Sequence, residues 1–268
     1  MSLPLDFSKI RLICSDIDGT LLQKETALPQ AIKEEVWRLH KKGITFTFST
    51  GRLPYEVDGL FDGLPANTPY VAGNGAVMKR GQEILREYDF VPGPLRELAY
   101  RYSARGVTVI FTCGELERPL AETPWSRSCA GIFAGMDMPV EEAVWEQRIQ
   151  RMFFYHPQGL HLTECRQELE AFEGDFGICS QNDRSIQIAP RGCTKAAGVQ
   201  MLGEYLGVKR EEILCVGDAE NDISMIRYAG IGAAVSNGSA ALKQAADHVT
   251  QGACAEGVLE LLRLCGQK

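Results

Sequence analysis

Nowhere in its 268 residues does this chain carry an apolar stretch long enough to cross a bilayer, which excludes a helical membrane span and a phosphate-transporting ATPase. The opening residues, Met1 to Ile10, lack the basic segment and apolar core of a signal peptide, so the expected compartment is the cytoplasm and no membrane partner is expected. A basic excess is missing too. Lys and Arg total 28 against 35 Asp and Glu, a formal charge of -7, which excludes a nucleic-acid partner held by general electrostatics. Histidine is scarce. The four histidines, at 40, 156, 161 and 248, are scattered, with no pair at i, i+4, and the nine cysteines contain no C-x-x-C pair, so no zinc site is expected. Several cysteines sit inside apolar runs such as Leu12-Ile13-Cys14 and Ile213-Leu214-Cys215-Val216 and read as reduced core residues. There is no internal repeat, low-complexity tract or long linker.

What is present is an ordinary globular composition, 45% hydrophobic and 24% charged, enough to bury a substantial core. Short apolar runs ending in polar or Gly-rich turns are each followed by a helical pattern, the signature of βαβ units on a mostly parallel sheet. At the start these are strand 10–15, helix 29–42 stopped by Gly43, strand 44–49, a short helix over 54–60 and strand 70–72. A hairpin (77–78 into 84–88) then leaves the sheet. The rhythm changes from Pro92 to Pro190, with helices over 94–104 and 140–149 and a strand over 107–111. It resumes with helix 194–206, strand 213–216, helix 222–229, strand 231–235 and a last helix from Glu256. The expected fold is α/β: a Rossmann-like core of residues 1–82 and 191–268 with helices on both faces of the sheet, interrupted by an α+β module at 83–190.

Four places carry chemistry. Asp16-Ile17-Asp18-Gly19-Thr20 ends the first strand, at the edge where open α/β sheets bind ligands, and its two carboxylates are expected to point into one crevice; a solvated Asp-Gly turn is the local alternative. Thr50-Gly51-Arg52 ends the second strand and offers a hydroxyl, a glycine of close approach and a helix start to a phosphate, or an ordinary helix cap. Lys195 lies early in a helix, where a surface lysine is the ordinary case. Gly217-Asp218-Ala219-Glu220-Asn221-Asp222 follows a buried strand, and Asp218 or Asp222 could cap the next helix. All four fall on the carboxyl edge of one parallel sheet. Four carboxylates (Asp16, Asp18, Asp218, Asp222) facing one ammonium (Lys195) repel one another unless a cation joins them or one keeps its proton. Hard oxygen donors without His or Cys nearby select Mg²⁺.

Together, D-x-D-G-T, the Thr ending the second strand, the helical Lys and G-D-x-x-N-D resemble the four motifs of the haloacid dehalogenase-like phosphatases. Thr50-Gly51-Arg52, Asn74-Gly75-Ala76, the large insertion after them and Ala246-Asp247-His248-Val249-Thr250 resemble the Cof-type branch of that superfamily. The motifs cover the core alone; the inserted module matches by position and size, and Ala233 to Gly238 departs from the branch's Met-Gly-Asn-Ala turn. The resemblance implies that Asp16 is the nucleophile and that Mg²⁺ is held by Asp16, the Asp18 backbone carbonyl and Asp218. It implies that Asp18, its pKa raised by like charge, serves as general acid and base. Thr50, the Gly51 amide, Lys195 and Asn221 would hold the phosphoryl oxygens, with Asp222 and Arg52 supporting them from behind. The implied activity is Mg²⁺-dependent hydrolysis of a phosphate monoester of a small metabolite, such as a sugar phosphate, with the inserted module as a lid that chooses the substrate. A phosphomutase shares these motifs. A dehalogenase lacks the second aspartate, and a non-catalytic phosphate sensor would be expected to have lost a motif. No oligomeric state is assigned.

Overall fold

The computed structural model describes residues 5–23, 27–172 and 174–267, without the side chains of 179–182, so the Cys179 thiol lies outside the described residues. The chain forms two compact units, one of residues 1–87 and 194–268 and one of residues 88–193. The first contributes β1 (Leu12–Ser15), α1 (Gln30–His40), β2 (Thr45–Phe48), α2 (Pro54–Val57), β3 (Tyr70–Ala72), β4 (Val77–Arg80) and β5 (Glu83–Glu87). The second holds α3 (Arg96–Ser103), β6 (Thr108–Cys113), β7 (Leu116–Pro119), α4 (Pro124–Cys129), β8 (Arg151–Tyr155), α5 (Leu162–Leu169), β9 (Phe176–Asn182) and β10 (Ser185–Pro190). The first unit then resumes with α6 (Lys195–Leu206), β11 (Ile213–Gly217), α7 (Ile223–Tyr228), β12 (Ile231–Ala234), α8 (Ala240–Ala245), β13 (His248–Val249) and α9 (Cys254–Leu264).

The core of the first unit is a parallel sheet in the order β13-β12-β11-β1-β2. Every residue of β1 and β11 is buried, which is why both read as continuous apolar runs rather than alternating ones. From β1 the chain moves outward through α1 to β2; from β11 it moves the other way to β12. The order therefore reverses between β1 and β11, and the crevice at their carboxyl ends is where such sheets take ligands. Leu12, Cys14 and Cys215 meet Val199 and Leu202 of α6 and Met225 and Ile226 of α7 in one apolar layer. β3, β4 and β5 form a separate antiparallel sheet, tied to the end of β2 by a single bridge between Ser49 and Val71. None of the eight described cysteines is in a disulfide, and five of them are buried.

In the second unit an antiparallel sheet, β7-β6-β8-β10-β9, packs one face on α3 and α5 around Phe111, Phe154, Leu98, Tyr102 and Leu162. Three features differ from the sequence expectations. No α-helix forms over 140–149: Glu142–Glu146 is a short 3₁₀ turn, because Gln147 turns extended and Ile149 exchanges two backbone hydrogen bonds with Phe90. A helix forms instead at α4, where Thr123 accepts from the Ser126 amide and Pro124 occupies the first turn. The boundaries fall at 87/88 and 193/194 rather than 82/83 and 190/191, since β5 pairs with β4 and stays with the first unit.

Helix α6 lies so close over β3 that a Cβ on Gly198 would stand 2.4 Å from Val71 Cγ1 and 3.3 Å from the Gly75 Cα. Replacing a mid-helix glycine by alanine ordinarily stabilises by about 1 kcal/mol, whereas overpacking costs about 1–3. Because Val71 is fully buried, crowding should win. Gly198→Ala is expected to lower unfolding stability by about 1–2 kcal/mol in urea titration; a gain would show that α6 can lift off β3.

Candidate active site

Asp16 continues β1 by one residue, its amide donating to the Val216 carbonyl at 2.9 Å. The chain then folds sharply: the Ile17 carbonyl accepts from the amides of Thr20, Leu21 and Leu22. Gly19 makes that turn at φ +82°, and a Cβ there would lie 2.3 Å from an Asp218 carboxylate oxygen, so both the backbone angle and the space require glycine. Thr20 is thereby turned inward, its hydroxyl donating to Asp218 Oδ1 at 2.9 Å and lying 3.4 Å from Asp16 Oδ2.

Lys195, the first residue of α6, is 1% exposed and donates to Asp16 Oδ1 at 2.6 Å and to Asp222 Oδ1 at 2.5 Å. The surface position ordinary for a lysine does not apply here. Asp222 accepts from Lys195 on one oxygen and from the Asp218 and Ala219 amides, each at 3.0 Å, on the other. Carboxylate oxygens of Asp16, Asp218 and Asp222 lie within 4.8 Å of one another. Three carboxylates against one ammonium leave two negative charges in a buried place, which suits one divalent cation. Since both Asp222 oxygens are committed, Asp16 and Asp218 are the side chains with capacity for it.

The pKa pattern follows from this crowding. Burial pushes the Asp16 carboxyl up to about 7, against the attraction of Lys195 and with the help of Asp222 and Asp218. Burial raises Asp218 too, opposed by the Thr20 hydroxyl. For Lys195, burial works to lower the value, but Asp16 and Asp222 outweigh it and hold the ammonium above its ordinary range.

Asp18 departs from expectation. Its carboxylate does not share the crevice of Asp16: the turn at Ile17 to Gly19 carries it outward, 63% exposed, where Arg52 grips it with Nε at 2.9 Å and Nη2 at 2.6 Å. The crowding expected at Asp18 falls on Asp16 and Asp218 instead. Asp18 in turn raises the Arg52 guanidinium, chiefly through that hydrogen bonding and against partial burial. Thr50 is buried and its hydroxyl accepts from the Arg52 amide at 3.1 Å, fixing the turn that holds half-buried Gly51. Asn221 donates to Asn74 Oδ1 at 3.3 Å. Asn74 (φ +54°), Thr20 and Asn237, whose amide donates to the Gly19 carbonyl at 2.8 Å, were not among the expected site residues. Thr20 stood inside D-x-D-G-T, and Asn74 between two glycines, an opening for left-handed backbone.

The metal-free balance has a pH signature. The folded value of Asp16 lies above the ordinary 3.8, so its contribution to stability is complete below about 3.8 and is lost as the pH rises through about 7. A divalent cation at the cluster should restore it on the alkaline side. Mg²⁺ at about 100 times its Kd should raise the melting temperature by about 5–10 °C at pH 8 and distinctly less at pH 5.5. Equal shifts at both pH values would refute the assignment.

With this geometry in view, the profile of the haloacid dehalogenase-like hydrolases matches residues 13–262. The chain is 25% identical to the phosphoglycolate phosphatase of Methanospirillum hungatei over 95% of its length and 96% of the relative's. It is 25% identical to the 5-amino-6-(5-phospho-D-ribitylamino)uracil phosphatase YcsE of Bacillus subtilis over 98% of both chains. Its fold is similar to that of BT1666 from Bacteroides thetaiotaomicron, a phosphatase of the haloalkanoate superfamily, with a TM-score of 0.79 and 24% identity over 98% of this chain and 97% of that one.

Proposed function

The chain belongs to the haloacid dehalogenase-like hydrolases and is a phosphatase, and from that premise we propose that it cleaves the phosphate monoester of a small metabolite through an aspartyl-phosphate on Asp16. The observation that carries the proposal is the buried Asp16 carboxylate, held by Lys195 at 2.6 Å at the sheet's reversal point, beside a pocket of two uncompensated negative charges. Asp16 attacks phosphorus in line: the new bond joins an Asp16 oxygen to phosphorus, and the bond to the leaving oxygen breaks. Asp18, exposed at the rim and paired with Arg52, takes up a proton from solvent on leaving that pairing and gives it to the leaving oxygen. It then takes one from the water that hydrolyses the acyl phosphate. Thr50, the Gly51 amide, Lys195 and Asn221 hold the phosphoryl oxygens, and Asp222 fixes Lys195.

Asp16, Asp218 and the Asp18 carbonyl are the ligands we assign to Mg²⁺. When bound, it supplies the positive charge that lets a phosphate dianion approach a carboxylate. The choice among metabolites we assign to residues 88–193, which the chain inserts whole between Glu87 and Thr194 and which carry none of the four motifs.

The two aspartates should fail differently. Chelation with EDTA should abolish phosphate release and added Mg²⁺ should restore it. Asp16→Asn should yield no phosphoenzyme. Asp18→Asn should still be phosphorylated by p-nitrophenyl phosphate, with turnover falling about 10²- to 10⁴-fold. Full activity in chelator, or mass spectrometry that finds the phosphate on another residue, would overturn the assignment.

A further inference from the structure

Ser49, the residue after β2, is fully buried and its hydroxyl has no hydrogen-bond partner among the described residues. A buried hydroxyl left unpaired is destabilising, and native structures rarely keep one without a use for it. Its position supplies the use. The Ser49 amide donates to the Ser15 carbonyl at 2.9 Å, continuing the parallel ladder in which Ser15 stands opposite Phe48. That register sets Ser49 directly opposite Asp16. Register partners in adjacent parallel strands lie about 4.8 Å apart with side chains on the same face. For Asp16 that face is the one covered by α6, since its carboxylate meets Lys195. On its other side Ser49 is bridged to Val71, whose side chain packs in the same layer and offers no acceptor.

In the free protein the Asp16 oxygens face Lys195 and, at 3.4 Å, Thr20, so the neighbouring hydroxyl is held in reserve. We infer that Ser49 is a positioning residue for the nucleophile: its hydroxyl turns to donate to the Asp16 carboxyl as that group moves into line with phosphorus. The inference rests on the aspartyl-phosphate reading given above. An interaction absent from the resting state and formed in the reacting one raises kcat rather than tightening substrate binding. Its counterpart is an unpaired donor carried by the resting protein, a stability penalty stored at the site.

The test is Ser49→Ala, a variant that removes an unpaired group and should fold. With p-nitrophenyl phosphate and Mg²⁺, the rate of phosphoenzyme formation in a rapid-quench experiment should fall about 10- to 100-fold, with KM changed less than about twofold. The melting temperature of the metal-free variant should rise, and Ser49→Thr, which keeps the hydroxyl, should recover most of the rate. A variant that is phosphorylated at the normal rate, or that loses rate only in proportion to a lowered melting temperature, would overturn the role. A natural protein that turns over without labelling Asp16 would overturn the aspartyl-phosphate reading and the Ser49 role with it, and is told apart because the intact chain alone reveals it.

Discussion

The ammonium of Lys195, buried between Asp16 and Asp222, is the interaction on which the arrangement of this site depends. It joins three parts of the chain: the end of β1, the first turn of α6 and the turn between β11 and α7. Burying these charges is unfavourable unless each finds its partners. Lys195 has two carboxylates, Asp222 has the ammonium and two backbone amides, and Asp16 has the ammonium and the nearby Thr20 hydroxyl. Removing Lys195 would leave three carboxylates in a common crevice without a cation, an unfavourable burial of unpaired charge.

The second consequence is a division of labour between two aspartates one residue apart. Asp16 is sealed in the layer between the sheet and α6, and its proton affinity is set by burial. Asp18 stands in solvent, gripped by Arg52 in a two-point pairing whose geometry only a guanidinium supplies. The tight turn at Ile17 to Gly19 produces both environments, one buried and one solvated, within three residues. The glycine is obligatory because the Asp218 carboxylate occupies the space where its side chain would be.

In the second unit the apolar pattern located the strand at 107–111, which is β6, but gave no strand at β7 and misplaced a helix. The run from Val140 to Ile149 has helical spacing, yet Ile149 is claimed by a bridge to Phe90, and the turn before it tightens to 3₁₀. Conversely, the Trp- and Pro-containing segment near 124 folds as α4, where Thr123 caps it and Trp125 packs beside Ile110 and Cys129 on the second face of the sheet. A pairing across about sixty residues outranks local periodicity there, and a cap with a favourable packing face creates a helix where composition suggests a loop.

By itself the sequence determined the parallel core, the place of β1, β2 and β11, and the residue types that meet at their carboxyl ends. These depend on apolar runs, glycine stops and a fixed strand-to-helix rhythm, all local properties. It also determined that negative charge exceeds positive there, because charge is a count. The tertiary structure decided which charge faces which. Lys195 meets Asp16 across 179 residues, Thr20 meets Asp218 across 198, and Arg52 takes Asp18 across 34. Whether a carboxylate is buried or solvated turns on these pairings and on one sharp turn, and energies of that kind depend on distance and dielectric in three dimensions, which no spacing along the chain encodes.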